Sequence, residues 1–344
     1  MKNITFLNTC SVQDWASVKD KEFRLNANNY ISSVINQSSF LSKFNDISVE
    51  FYQEGVSSIV VKLLLLNGIK YVLKTSSRNK ILKSEIISLK KWKEVEVTVP
   101  NIYEEGDQDQ SSYYIMDYFD GLTLKNKIDD NSIKIEEVGQ IMGTALYKTQ
   151  NVSGAGFGFP FIEKDMELIG PIPLLKDYLE TEFVNSNKFD VVSKEFPETE
   201  WRNLADFHAG IILKENNTTF SVLGNMDFSP RHFFATENPT MFDPFPELIP
   251  EYFDVAFYLI PERGTSEGIH YEIRKSTLDS YLSLKGKINN SLLCSALWLL
   301  TYRKSANLLN QPDDIRSERA RYMLSIISTE KSMNGYLKLY SLIN

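Results

Sequence analysis

The hydrophobic period of this chain changes abruptly between Ile47 and Lys93, and that change constrains the fold more than any other stretch. Ile47, Val49 and Phe51 alternate with polar residues, Gly55 interrupts them, and Ser58 to Leu66 resumes the alternation before Asn67-Gly68 closes a tight turn. Ile69 to Thr75 then completes a meander of three antiparallel strands. From Arg78 to Lys93 the apolar residues Leu82, Ile86, Leu89 and Trp92 recur at helical spacing, and Glu85 falls inside their stripe. A carboxylate on a core-facing stripe is costly unless it is paired. Lys74, at the end of the third strand, is the natural partner. A sheet crossed by one helix, with a Lys–Glu pair between them, is therefore built into the pattern.

Val99 to Tyr103 and Tyr113 to Asp117 predict two more strands around a polar turn from Glu104 to Ser112, giving a five-stranded antiparallel sheet. Upstream, Tyr30, Ile31, Val34, Ile35, Phe40, Leu41 and Phe44 predict an opening helix over Asn29 to Phe44. Downstream the pattern becomes helical. Ile135 to Thr149 is amphipathic, Pro171 to Phe196 and Glu198 to Lys214 give two further segments, and Ile269 to Leu284, Asn289 to Leu309 and Ile315 to Leu342 close the chain. The Gly154-Ala155-Gly156-Phe157-Gly158 run follows a helix and precedes Pro160, so it is not a dinucleotide-binding fingerprint. His208 and His270 read as structural. A sheet followed by helices is an α+β arrangement.

One stretch in the helical half carries chemistry. Ser221 to Glu247 contains Asp227, after a short β-like run and before a Ser229-Pro230 break, and Asp243, after Met241-Phe242. If Phe233-Phe234 and Met241-Phe242 pair as a hairpin across the Thr236 to Thr240 turn, both carboxylates and His232 converge at one end of it. Convergent carboxylates without cysteine partners suit a hard cation such as Mg²⁺ and a phosphate-bearing ligand.

Composition narrows the partners. A chain of 344 residues at 42% hydrophobic and 24% charged is globular material with room for two lobes, and its net charge of −8 argues against a nucleic-acid backbone and towards neutral or cationic small molecules. Cys10 and Cys294 do not make a disulfide framework and fit a reducing cytoplasm. The N-terminal stretch lacks the apolar run of a signal peptide, and the apolar pulses at Val60 to Leu66 and Leu292 to Leu300 are too short to cross a bilayer.

Taken in order, these motifs resemble the aminoglycoside phosphotransferase and choline kinase superfamily, over about Ile47 to Leu309. Its catalytic loop runs H-G-D-x-x-x-x-N and its metal-binding acid sits in an I-D-P or I-D-F step. Here the corresponding residues are Asn225-Met226-Asp227, then His232, then Asp243-Pro244; the two aspartates match and Asn225, Met226 and His232 depart. The resemblance implies a bilobal, protein kinase-like fold: an N-terminal extension and sheet lobe over 1–118, and a helical lobe over 119–344. It implies Asp227 as the base facing the acceptor hydroxyl, and Asp243 and His232 as metal ligands. Lys74 and Glu85 become the pair that holds the α- and β-phosphates. Gly55, Ser57 and Ser58 become the phosphate-covering turn, and main-chain groups near Asp117 and Phe119 in Met116 to Leu124 hold the adenine. Asp254 becomes a brace for the catalytic loop. The implied cofactors are ATP, or GTP, and Mg²⁺, or Mn²⁺ because of the imidazole of His232. The implied activity is phosphorylation of a hydroxyl on a small molecule that is aminoglycoside-, choline- or sugar-like; the alternative is a catalytically silent nucleotide-binding protein of the same fold.

Overall fold

The structure is a computed structural model that describes residues 2–329 apart from 15, 54–57, 109–110, 163–166, 185–187, 217–218, 261–266 and 311–313. Six strands form the first sheet: β1 (Asn3–Phe6), β2 (Asp46–Phe51), β3 (Ser58–Leu65), β4 (Lys70–Ser76), β5 (Ile102–Gln108) and β6 (Ser111–Asp117), in the order β1-β2-β3-β4-β6-β5. The expected five antiparallel strands are all there, with β2, β3 and β4 as the three-stranded meander, and β1 adds a sixth strand by pairing parallel to β2.

Strand alternation sends the two sets of side chains to opposite faces. Val49, Val61, Leu63, Leu73 and Ile115 meet Ile31, Val34, Ile35 and Leu41 of the N-terminal extension in one core. That extension is built from α1 (Val18–Leu25), α2 (Ala27–Gln37) and a 3-10 turn at Phe40–Lys43, so the single opening helix expected over Asn29 to Phe44 is divided. Val72, Tyr114 and Met116 meet Leu82, Ile86, Leu89 and Trp92 of α3 (Asn79–Glu94) on the other face. Burying each of these large apolar side chains contributes about 1.5–3 kcal/mol, so both faces of the sheet are firmly covered.

The polar turn expected at Glu104 to Ser112 is mostly strand. β5 is an edge whose residues alternate between exposed and half-buried, so polar side chains cost it nothing. Glu104 also ties that edge to the extension: its carboxylate accepts from the Phe40 N–H at 2.6 Å and the Tyr113 hydroxyl at 2.9 Å.

The rest of the chain is helical around a second, five-stranded sheet. Its helices are α4 (Leu124–Asp129), α5 (Ile135–Thr149), α6 (Leu175–Leu179), α7 (Lys188–Glu195), α8 (Trp201–Glu215), α9 (Phe253–Leu259), α10 (Glu267–Lys285), α11 (Asn290–Leu309) and α12 (Asp314–Thr329). A single π-helical turn spans Glu180–Val184 between α6 and α7. β7 (Ser153–Ala155), β8 (Phe161–Ile162), β9 (Leu168–Ile169), β10 (Phe220–Asn225) and β13 (Pro246–Ile249) pair in the order β13-β10-β7-β9-β8, and the separate hairpin of β11 (Phe233–Phe234) and β12 (Thr240–Met241) lies between β10 and β13 in sequence. One hydrogen bond fixes the first sheet's helix to the second sheet: Trp92 Nε1 of α3 donates to the Leu223 carbonyl of β10 at 3.2 Å. The helix that carries Glu85 is thereby held against the strand that leads to Asp227. Among the described residues, no helix is long and apolar enough to cross a membrane.

Candidate active site

Lys74 and Tyr114 face each other directly across β4 and β6. The Lys74 ammonium donates to both Glu85 oxygens, at 2.7 and 2.8 Å, and the Tyr114 hydroxyl donates to Glu85 Oε1 at 2.6 Å. All three residues are at most 5% exposed. The same ammonium also makes a short contact with Asp243 Oδ1, so the Lys–Glu pair read from the sequence opens onto the second acid. Burial alone would lower the Lys74 pKa, but Asp243 and Glu85 outweigh it and the net shift is upward. Burial raises Glu85 against the pull of Lys74. Asp243, with its side chain half exposed, is lowered, first by Lys74 and then, against burial, by His232 and Arg231.

Asp227 and Asp243 lie on two loops that Asn225 fastens together. Its fully buried side-chain oxygen accepts from the Asp227 N–H and from the Phe245 N–H, each at 3.0 Å, and Met226 N–H donates to the Phe245 carbonyl at 2.8 Å. One amide oxygen with two lone pairs thus does the work that the resemblance assigns to a histidine. Among the described residues the non-glycine positions in the left-handed region are Glu96, Asn131, Asp243 and Tyr252. Met226 therefore sits in backbone space open to any L-residue, and the loop has no need of glycine there. Asp243, at φ 50°, is the strained member, and Asp tolerates that region better than most.

The hairpin expected from Phe233-Phe234 forms, with Phe233 opposite Met241 and Phe234 opposite Thr240, and the Phe242 N–H continues it to the His232 carbonyl at 2.9 Å. His232 is buried beside the two acids. Its Nδ1 faces the Asp227 carbonyl at 2.7 Å, and Arg231 Nε donates to its Nε2 at 3.1 Å. These partners assign the proton to Nδ1 and engage the Nε2 lone pair that a metal would use. The same guanidinium donates from Nη2 to the Asp227 carboxylate at 2.9 and 3.3 Å. Arg231 was not among the residues singled out in the sequence, because the loop from Asp227 to Arg231 is not α-helical and the four-residue spacing carries no pairing signal there. Tyr114 was missed too, although strand register places it opposite Lys74.

The remaining expected positions are spread around this centre. Gly55 and Ser57 lie outside the described residues. Ser58 opens β3, and its carbonyl accepts from Arg24 Nη1 at 2.7 Å, while buried Asp20 in the same extension helix accepts from Arg78 Nη2 at 2.9 Å just before α3. The extension therefore touches both the root of the expected phosphate turn and the start of the Glu85 helix. Asp117 uses its carboxylate on Asn101 (2.8 Å to both the backbone and side-chain N–H) and Tyr103 (2.5 Å), and its own N–H on the Asn101 carbonyl. Phe119 stacks on Phe234, which stacks on Phe242. Asp254 does not reach the loop by hydrogen bond. Its Oδ1 accepts from Gln150 and the Val255 N–H, its Oδ2 has no partner among the described residues, and its Cβ packs behind Gly224. Burial pushes its carboxyl up to about 6.

No three His, Cys, Asp or Glu side chains gather as a metal cage among the described residues. One carboxylate with substrate phosphates completing the shell is, however, how Mg²⁺ is commonly held in nucleotide sites, and Asp243 fits that role.

No protein-family model matches this sequence, and no curated protein sequence does. Solved structures do. A thermostable mutant of the aminoglycoside phosphotransferase APH(4)-Ia, in ternary complex with ADP and hygromycin B, superposes with a TM-score of 0.53 at 13% identity, covering 86% of this chain and 97% of that one. The streptomycin–ATP–APH(2")-IIa ternary complex gives 0.53 at 14% identity, covering 91% and 97%. The chain has the aminoglycoside phosphotransferase fold, of protein kinase-like type. That fold confirms the sheet lobe and helical lobe expected from the sequence, with six strands in place of five.

Proposed function

We propose that this chain is an ATP-dependent phosphotransferase acting on a hydroxyl of a small molecule. The observation that carries the reading is the joining of Lys74, Glu85 and Asp243 in one cluster, next to a loop that presents Asp227. In phosphoryl transfer the protein supplies mainly alignment and charge neutralisation. Lys74, fixed by Glu85, whose carboxylate Tyr114 also holds, directs its remaining charge to the α- and β-phosphates of ATP or GTP. Asp243 holds Mg²⁺, or Mn²⁺, which when bound neutralises the phosphates; His232 Nε2 joins it only where Arg231 turns away. Gly55, Ser57 and Ser58 cover the phosphates, and the main chain from Asp117 to Phe119 holds the base. The lobes divide at about residue 118. Asp227 accepts the hydrogen bond of the acceptor hydroxyl once Arg231 releases it.

Arg231 also favours a second reading, a silent nucleotide-binding protein, because it engages both Asp227 and His232. Two variants separate the readings. In an enzyme, Asp227→Asn keeps nucleotide affinity and lowers acceptor-dependent ADP release by roughly 10²–10⁴-fold, and slow metal-dependent ATP hydrolysis is lost in Asp243→Ala. Full activity in Asp227→Asn contradicts the assignment, and no hydrolysis by the wild type supports the silent protein.

A further inference from the structure

Residues before Ile47 lie outside the stretch that resembles the phosphotransferase superfamily, yet their polar side chains are directed at the ends of the elements that carry the Lys74 cluster. β2 ends at Phe51 and β3 begins at Ser58, on either side of the expected phosphate turn. On the outgoing side, Asn8 brackets Phe51: its amide donates to the Phe51 carbonyl at 2.9 Å and its oxygen accepts the Phe51 N–H at 2.7 Å. Ser11 Oγ donates to the Gln53 carbonyl at 2.8 Å. On the returning side, Arg24 Nη1 donates to the Ser58 carbonyl at 2.7 Å, and Nε of the same guanidinium donates to the Ser11 carbonyl at 2.5 Å. One planar fork therefore ties the two sides together through Ser11.

Asp20 lies one helical turn before Arg24 on α1 and grips the next junction. Its carboxylate accepts from Ser77 Oγ at 3.2 Å and from Arg78 Nη2 at 2.9 Å, and the N-cap Ser17 holds it at 2.8 Å. Lys19 Nζ adds a bond to the Ser77 carbonyl at 3.2 Å. Ser77 and Arg78 join β4 to α3, and so lie in the segment between Lys74 and Glu85. Ser58 pairs with Ser76 in the sheet, which makes the two grips neighbours. Asp20 and Arg24 are each 2% exposed. Burying two charges is a costly way merely to cover a sheet, and Ile31, Val34 and Ile35 of α2 already cover it with apolar side chains.

Resting on the phosphotransferase reading, we propose that Asp20 and Arg24 are positioning residues of the nucleotide site. Arg24 fixes the strand ends that flank residues 54–57, and Asp20 fixes the junction that sets Glu85 against Lys74. Both act through Ser11, Ser58, Ser77 and Arg78 rather than on the nucleotide.

Variants of the full chain test this. Asp20→Asn and Arg24→Lys keep similar size and remove the ion pair or the fork; Val34→Ala removes apolar volume from the same core and leaves both grips intact. Each is read by Mg²⁺-ATP calorimetry well below its melting temperature, and by amide hydrogen exchange without nucleotide. The expected result is that Asp20→Asn and Arg24→Lys weaken ATP binding about tenfold or more and speed exchange locally, over 76–82 and at the start of β3 respectively. Val34→Ala, with a melting temperature lowered at least as far, keeps ATP affinity within about twofold. Arg78→Gln, whose side chain is 49% exposed, breaks the Asp20 grip from its other end and gives the same exchange readout if Asp20→Asn fails to fold. Exchange unchanged over 76–82 and at the start of β3, or ATP weakened equally by Val34→Ala, overturns the proposal. ATP bound equally by all variants keeps the phosphotransferase reading and removes this inference. Local exchange accelerated in a wild type that binds no ATP at millimolar concentration leaves the grips as structure alone and removes both.

Discussion

Lys74 and Asp227 are each held by an ion pair, but the two pairs differ in burial and therefore in what they can do. Lys74 and Glu85 have side chains at 6% and 4% exposure, locked from two sides by β4, β6 and α3, whereas Arg231 and Asp227 are at 54% and 37%. A buried pair is a fixture, because removing one partner strands a charge in a low-dielectric site. An exposed pair contributes about 0–1 kcal/mol and opens readily. On the proposed function, the nucleotide side of the site is thus preformed, and the acceptor side is shielded by a contact that a ligand can displace.

The largest effect should follow from breaking the fixture. Glu85→Ala leaves Lys74 with only the half-exposed Asp243 and the Tyr114 hydroxyl without its acceptor, and should cost about 3–5 kcal/mol in urea unfolding. A cost under about 1 kcal/mol would make the two pairs equivalent and erase the contrast.

Asp254 shows what burial does to a carboxylate that forms no ion pair among the described residues. Its carboxyl titrates near 6 in the folded chain against about 3.9 unfolded. Because the folded pKa is the higher, the stabilisation it brings is complete below the unfolded value and is lost as pH rises through the folded one. Wild-type stability should therefore fall by about 2–3 kcal/mol more than that of Asp254→Asn between pH 4 and pH 7. Parallel pH profiles would remove the role of burial.

Asn225→Ala sharpens the link between the two loops. It leaves the Asp227 and Phe245 N–H groups unsatisfied and should cost about 1–3 kcal/mol, with acceptor-dependent turnover falling as the loops part. Arg231→Gln should be smallest, within about 1 kcal/mol in the same unfolding measurement; a larger loss would show that the exposed pair is structural.

Most of the sheet, α3 and its charged stripe were legible in the sequence, because their period and turn residues act locally. The Lys74–Glu85 contact was legible for the same reason: an acid inside an apolar stripe demands a partner. What was not legible depends on tertiary register. Four residues, Asn3–Phe6, are too few to show alternation, yet they pair with β2. Glu104 to Gln108 are polar because β5 is an edge, which no local pattern announces. The second function of Asn225, holding Phe245 as well as Asp227, needs two loops brought together from outside its own segment.

Titration of ATP into the wild type and Asp243→Asn, with and without Mg²⁺, bears most directly on whether the Lys74 cluster surrounds a triphosphate. One ATP per chain, bound in a Mg²⁺-dependent manner and weakened about tenfold or more by the substitution, is the predicted result. Equal affinity in the two proteins, or no binding at millimolar ATP, would contradict it.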